Sequence, residues 1–313
     1  MAKSPDLPST PISIAQARSL GINPAHLRSR KLQRPFYGVR SLGLDLSAVF
    51  DRCLAYSSVM SDAAVFSHST AARLWGMPLP LALDEELHVT VALPRRAPAG
   101  AGVVGHRQRL EPGERVSLSG LAVASPAATW AQLGELLTID DLTAVGEYLL
   151  TGNPYAKQLP LADIEDIMAA IEVRLRGPGH RNRMTAAAQM KEGPLSRPET
   201  FVRLLLTRCG IPMPLINSDV YDGGRFVAMP DLKWEEFKVA LEYQGEHHRG
   251  RKQFRADISR LEKLIDAGWL VVQVTAAELY GNPRVIVERV AARLRSRGWQ
   301  GRVDLRHITT FAP

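Results

Sequence analysis

Cysteine is nearly missing: Cys53 and Cys209 are the two in 313 residues. Two thiols build neither a disulfide framework nor a cysteine metal cluster, and such usage fits a reducing cytoplasm. Long apolar runs are missing as well. No stretch approaches the roughly 20 apolar residues of a membrane helix, so no membrane association is expected. The opening MAKSPDLPSTPIS has no apolar core of the kind a secretory leader carries, which again points to the cytoplasm. Internal repeats are absent too. What is present is 45% hydrophobic residues, enough for real cores, on a chain long enough for two or three domains.

Charge is unevenly placed. Residues 1–40 hold 7 Lys/Arg against 1 acid, residues 41–170 hold 8 against 15, and residues 195–313 hold 19 against 14. Two basic ends therefore flank an acidic middle. Basic segments attract phosphate backbones, although a solvated basic surface gives the same count. Residues 1–11 are polar and proline-rich, and are expected to be disordered. From Ile12 to Arg40 the text reads helix, glycine turn, helix, short hairpin. Ser13 caps the first helix and Gly21 ends it; Asn23 caps the second, with Pro24 at its first position. Arg28, Arg30, Lys31 and Arg34 crowd the second helix and its exit, and RPFYGVR is placed as a wing. This is a small helix-turn-helix shape with cations at the recognition position, a site expected to take DNA.

Residues 46–76 read as helical. Strands are expected at Leu87–Leu93 and in AGVVGHRQRL and VSLSGLAVAS. Two helices follow, the first opened by Pro126. The glycine- and proline-rich basic segment Gly177–Met184 is the preferred domain break. From Ser196 the pattern changes to helix, three extended segments, helix, apolar strand, helix. The extended segments are expected to form an antiparallel meander joined at Asp222-Gly223-Gly224 and Glu235-Glu236. The second helix is expected over residues 251–267.

The strand VALEYQ carries an acid, Glu242, among apolar residues. If Glu235-Glu236 form a two-residue turn, Asp231 lies opposite Ala240. Side chains alternate along a strand, so Asp231, Glu242 and Gln244 share one sheet face while Val239, Leu241 and Tyr243 take the other. Two carboxylates on one face repel, and burying either as an anion is costly. A cation between them relieves both costs. Carboxylate oxygens of Asp231 and Glu242 with the backbone carbonyl of Tyr243 are the hard donors that Mg²⁺ or Mn²⁺ takes. Such an ion polarises a phosphate and lowers the pKa of bound water. Gln244 is placed to orient that water or the phosphate. Glu199 on the preceding helix is either a further ligand or a capping-box acid for Ser196, and the two roles are compatible. Asp231 and Glu242 also admit the simpler reading of exposed strand-edge charges. His247 and His248 either contact metal or phosphate or close a turn. Arg251 and Arg255, with Asp257 nearby, either contact the nucleic-acid backbone or form the wet face of a helix.

An acid on a helix, then Pro-Asp, then an acid two residues before a polar residue on the next strand resembles the PD-(D/E)xK nucleases. Here the match is Glu199, Pro230-Asp231 and Glu242-Tyr243-Gln244. The surrounding DLKWEEFKVALEYQGEHH and AGWLVVQVTAAEL resemble an actinobacterial branch related to very-short-patch repair (Vsr-like) endonucleases, over roughly residues 195–300. Gln244 departs from that pattern, where lysine or an acid is usual; a neutral amide gives no positive charge to the transition state. Earlier in the chain, IAQARSLGINPAHLRSRKLQRPFYGVR, SHSTAARLWGMPLP and LHVTVA resemble AbiEi-type antitoxins, over roughly residues 12–150. That resemblance implies a small N-terminal winged helix that binds operator DNA, and a toxin partner. His68 and His106 are more economically structural histidines than ligands.

The expected architecture is a multidomain α+β or α/β chain. A winged-helix-like segment covers 1–45, a mixed α+β domain 46–175 and a linker 176–194. A restriction-endonuclease-like domain of order αβββαβα covers 195–313. The expected function is a Mg²⁺- or Mn²⁺-dependent DNA endonuclease with Asp231, Glu242, Gln244 and Glu199 at its site. Arg28, Arg30, Lys31, Arg34, His247, Arg251 and Arg255 are expected on DNA. The alternative is a non-catalytic DNA-binding regulator or antitoxin with a degenerate nuclease domain.

Overall fold

The computed structural model describes residues 10–83, 85–153, 157–245 and 260–313. The chain divides into two compact units, residues 1–137 with 162–184, and residues 138–161 with 185–313. It is a mixed α and β protein, and no helix among the described residues is long and apolar enough to cross a membrane.

The first unit opens with β1 (Ile12–Ser13) and α1 (Ile14–Ser19), where Ser13 and Gln16 close a capping box. Gly21 turns the chain at a φ of +70°, a left-handed backbone that glycine adopts without strain. Asn23 then caps α2 (Pro24–Leu27), and β2 (Val39–Arg40) pairs antiparallel with β1. Gln33 and Ser41 close the loop between them. The expected second helix is thus a single turn, about 6 Å long. Arg28, Arg30, Lys31 and Arg34 all lie beyond it in the exposed loop, so the cations sit on a turn rather than along a helix face.

After α3 (Val49–Ser57), residues 64–66 form β3 (Ala64–Phe66), which interrupts the continuous helical stretch expected over 46–76. Three buried residues are too few to show a period of two. The helix α4 (His68–Leu74) follows, then β4 (Leu87–Ala92), β5 (Val103–Gln108), β6 (Arg115–Leu118) and β7 (Leu121–Ala124). The five strands β3–β7 form one sheet in the order β5-β4-β3-β7-β6. Val65, Phe66, Leu87, Val89, Val91 and Val123 belong to its apolar core. Gly105 on β5 lies under the preceding loop, where an added Cβ would meet the Pro98 carbonyl oxygen at 1.8 Å. Gly105→Ala is therefore expected to cost about 1–3 kcal/mol through overpacking, read as a lowered denaturant midpoint.

The helices α5 (Pro126–Leu133), α7 (Ile164–Val173) and most of the contacts of Arg183 complete this unit. Arg174, just past α7, forms a buried bidentate pair with Glu114 at 2.6 and 3.1 Å. The segment 176–194, expected as a linker, instead carries α8 (His180–Gln189). Arg183 is fully buried, and its guanidinium donates to the carbonyls of Ala131, Arg174 and Pro178. A buried cation bonded to these carbonyls, and to that of Gly177, is a packed element rather than a tether.

The second unit starts earlier than the expected boundary at 195. It includes α6 (Ile139–Thr151), whose acids pair with α9 (Arg197–Arg208): Asp140 with Arg208, Asp141 with Arg197, and Glu147 with Arg203. Ser196 caps α9 as expected. The strands β8 (Leu215–Ile216), β11 (Leu232–Trp234), β12 (Val239–Gln244) and β13 (Leu270–Thr275) form a four-stranded sheet in the order β13-β12-β11-β8. β11 is antiparallel to both neighbours and β12 is parallel to β13. The expected single meander is corrected: β9 (Val220–Asp222) and β10 (Arg225–Ala228) form a separate hairpin, turned by Gly223 and Gly224 at positive φ. Residues 260–266 are helical, and α10 (Ala276–Gly281) and α11 (Pro283–Ser296) close the unit. Phe201, Leu205, Leu232, Leu241, Val274 and Val287 share the main core. Ala240 instead packs with Val220, Ala228, Leu264 and Trp269, so β12 is buried on both faces.

Candidate active site

The expected two-residue turn at Glu235-Glu236 is a longer loop. Residues Glu235–Phe237 form a 3-10 turn, and Lys238 takes a left-handed backbone at φ +48°. The register pairs Leu232 with Leu241 and Trp234 with Val239, shifted by two from the expected pairing. A shift of two preserves which side chains share a face. It also advances Asp231 from a place opposite Ala240 to one beside the end of the acid strand. The backbone N–H of Tyr243 donates to Asp231 Oδ2 at 2.6 Å.

Glu242 is buried at 5% exposure, which removes the reading of an exposed edge charge. Arg260 donates from Nη2 to Glu242 Oε2 at 2.6 Å. Glu199 is also buried. Its carboxylate accepts from Ser196 Oγ at 2.7 Å, from Leu195 N at 2.9 Å and from Asn217 Nδ2 at 2.8 Å. The capping role therefore exists, with the amide of Leu195 in place of that of Ser196.

Asn217 is a site residue that motif reading missed. Its side chain donates to Glu199, its backbone N–H donates to the Asp231 carbonyl at 2.9 Å, and its φ is +39°. Asparagine tolerates that backbone better than most residues, and here it ties the helix acid to the strand acid. The sequence signal was an asparagine in a turn position after β8; nothing local names its partners.

Asp231 registers the neighbourhood electrostatically. The residue is half-buried. Burial of its carboxyl, then the nearby Glu199 charge, push it up to about 8; Glu242 adds to the rise, while the Tyr243 N–H and Arg260 oppose it. Like charges gathered in a poorly hydrated place hold one carboxyl protonated near neutrality. Gln244 ends β12 beside Thr275 of β13. Lys233, buried on β11, does not stand in for a lysine at 244, because its ammonium bonds the Asp219 carbonyl and Glu235.

His247, His248, Arg251, Arg255 and Asp257 lie outside the described residues. Arg28, Arg30, Lys31 and Arg34 are exposed together in the first unit, and Arg34 donates to the Arg28 carbonyl at 3.2 Å. His68 and His106, set aside as structural, meet a third histidine, His88, in that same unit.

No family model matches the chain. An uncharacterized protein of Mycobacterium tuberculosis, Rv2248 in strain H37Rv and MT2308 in strain CDC 1551, is 24% identical over 265 residues. The match spans 84% of this chain and 92% of that protein. A solved structure, the RV2827C protein of M. tuberculosis, aligns at a TM-score of 0.30 and 15% identity. That alignment covers 59% of this chain and 79% of the other.

Proposed function

We propose that this protein is a divalent-cation-dependent DNA endonuclease of the PD-(D/E)xK type. The observation that carries the reading is the Asp231 carboxyl, tied to the acid strand by the Tyr243 N–H at 2.6 Å and raised far above its ordinary range by burial and then by the Glu199 charge, with Glu242 adding to the rise. The four-strand order β8-β11-β12-β13, with helices before β8, before β13 and after it, supports the αβββαβα arrangement that the Vsr-like resemblance implies. The hairpin β9–β10 is then an insertion in it. An AbiEi-like N-terminal segment supplies exposed cations for phosphate contact.

The donor set fits a hard cation: carboxylate oxygens of Asp231 and Glu242 and the carbonyl of Tyr243, with Glu199 behind them. When bound, Mg²⁺ or Mn²⁺ supplies charge stabilisation for the phosphate and a more acidic water. The chain's own groups do the rest. Glu199, fixed by Asn217, Ser196 and Leu195, keeps the Asp231 carboxyl in a negative field. Asp231 would hold the ion as a carboxylate, its proton passing to solvent or buffer. Gln244 orients water or phosphate through its amide. Arg260 leaves Glu242 to meet a phosphate oxygen, a contact its guanidinium geometry suits.

A second reading, a DNA-binding regulator or antitoxin with a toxin partner and a degenerate nuclease domain, is favoured by two features. Arg260 already neutralises Glu242, and Gln244 replaces the usual lysine or acid. A plasmid-nicking assay with Mg²⁺ or Mn²⁺ separates the readings. Cation-dependent nicking is expected; folded protein that shifts DNA in a gel and never cuts would establish the regulator instead.

Proton linkage gives an independent check. A carboxyl at about 8 is mostly protonated at pH 7. Binding of Mg²⁺ should release close to one proton per site at that pH, and the apparent affinity should rise about tenfold between pH 7 and pH 9. Calorimetry in buffers of different ionisation enthalpy measures both. Affinity independent of pH would remove Asp231 from the ligand set.

A further inference from the structure

The five-stranded sheet of the first unit buries an unusual amount of polar surface on one side. Ser67, His68, Ser69, Thr70, His88 and Thr90 are all almost fully buried there. Hydroxyls and imidazoles lose hydration on burial and must recover it in bonds. Thr90 Oγ1 donates to Ser67 Oγ at 2.8 Å, and the backbone N–H of His88 donates to Thr70 Oγ1 at 2.7 Å. Three imidazoles complete the layer, each delivered by a different element. His68 follows β3 at the head of α4, and His88 and His106 lie on the adjacent parallel strands β4 and β5. Strand alternation explains the shared face: Leu87, Val89 and Val91 point into the apolar core, so His88 and Thr90 point the other way. In the β4–β5 register Thr90 pairs with His106, which brings that ring to the same side.

The rings converge. His88 Nδ1 and His106 Nε2 are 3.0 Å apart, the His68 and His106 rings stack at 3.8 Å between centroids, and one nitrogen from each histidine lies within 4.8 Å of the other two. His68 is held by strain as well as by packing. Its φ is +48°, uncommon outside glycine, and its N–H donates to the Gln132 side chain at 3.2 Å. Strained backbone that persists in a packed core is concentrated at functional sites. His68 Nδ1 lies 3.0 Å from Ser67 Oγ and its Nε2 lies 3.3 Å from Gln108 Nε2. Gln108 Nε2 also donates to Glu135 Oε1 at 3.1 Å, so the amide that faces the His68 ring is itself held in place. Among the described residues, Gln108 Oε1 is itself buried without a hydrogen-bond partner.

We propose that His68, His88 and His106 form a binding site for a divalent transition-metal ion of the Zn²⁺ class, separate from the carboxylate site. Three imidazole nitrogens are borderline donors that suit Zn²⁺, Co²⁺, Ni²⁺ or Cu²⁺ and disfavour Mg²⁺ and Ca²⁺. Three protein ligands leave a fourth position, and His106, half-buried, marks the side on which solvent or a small ligand reaches it. On filling, the contact between His88 and His106 exchanges for bonds to the ion.

The test uses full-length protein stripped of metal by a chelator and titrated with Co²⁺, followed by visible absorption. One equivalent should produce the intense d–d band of a low-coordinate site, and Zn²⁺ in equal amount should abolish it. Asp231→Asn protein should give the same band, which separates this site from the carboxylate cluster. His106→Gln, at the half-buried position, should weaken binding by about 100-fold or more. Should that variant fail to fold, X-ray absorption of the Zn²⁺-loaded wild-type protein reads the ligands directly, with three imidazole nitrogens expected. Absence of the band at one equivalent overturns the proposal. So does an unchanged band in folded His106→Gln, or a ligand shell without imidazoles.

Discussion

Asp231→Asn is expected to lower Mg²⁺-dependent nicking by on the order of 10²–10³-fold, the size of losing one principal electrostatic contact to a transition state. The same change is expected to raise stability in alkaline buffer, and that combination is what a structural carboxylate would not give. The folded carboxyl titrates at about 8 because of burial and the Glu199 charge, whereas an unfolded aspartate titrates near roughly 3.9. The folded state therefore holds the proton more tightly. The stability this contributes is fully present below about pH 4 and is lost as pH rises through about 8. Asparagine does not titrate and keeps an acceptor for the Tyr243 N–H. Wild type and variant should match in melting temperature at pH 4, diverge across the window, and differ most above pH 8, with the variant the more stable. Saturating Mg²⁺ should narrow the gap by stabilising the wild type alone. A variant that nicks at the wild-type rate, or a melting difference that is flat with pH, would remove Asp231 from the centre of the site.

Glu147→Ala is the stability change with the largest expected cost, about 3–5 kcal/mol. Glu147 is fully buried on α6 and accepts from Arg203, from Thr200 Oγ1 at 2.6 Å and from the Lys191 N–H at 2.8 Å. Burial pushes the Glu147 carboxyl up and the Arg203 guanidinium down, each against the attraction of its partner. Both shifts are led by desolvation. The pair is thus a conditional asset: whole, it closes the seam between α6 and α9; halved, it leaves a buried cation without its counter-charge, on the Gln189 carbonyl. A double-mutant cycle separates these cases. Glu147→Met with Arg203→Met should recover most of the loss, because an apolar pair of similar volume removes both desolvation costs. Denaturant melts of the two single variants and the double variant measure it. A single-variant loss under about 1 kcal/mol would show that water reaches the pair.

Much of the local structure was legible. Ser13, Asn23 and Ser196 cap the helices that follow them, and Gly223-Gly224 turns a hairpin. These are decisions made within four residues, by a side chain bonding a nearby amide or a glycine entering the left-handed region. The face shared by Asp231 and Glu242 also survived a wrong register, since an error of two residues leaves strand alternation intact. Errors came where a segment was short or its partner distant. Three-residue β3 carried no period, and the supposed linker 176–194 hid a helix whose Arg183 is caged by carbonyls from elsewhere in the unit. His68 and His106 each look structural when taken alone, and nothing local joins His88 to them.

By itself the sequence determined the helix starts, the glycine turns, the alternation that places an acid on β12 away from the apolar core, and the cations that follow α2. Only the tertiary structure decided that α6 belongs with α9, that Arg260 rests on Glu242, that Asn217 joins Glu199 to Asp231, and that His68, His88 and His106 meet. The reason is physical. A cap or a turn is closed by bonds a few residues long, whereas a buried charge or imidazole takes whichever partner the packing of distant elements brings within reach, and its cost without that partner is what fixes the choice.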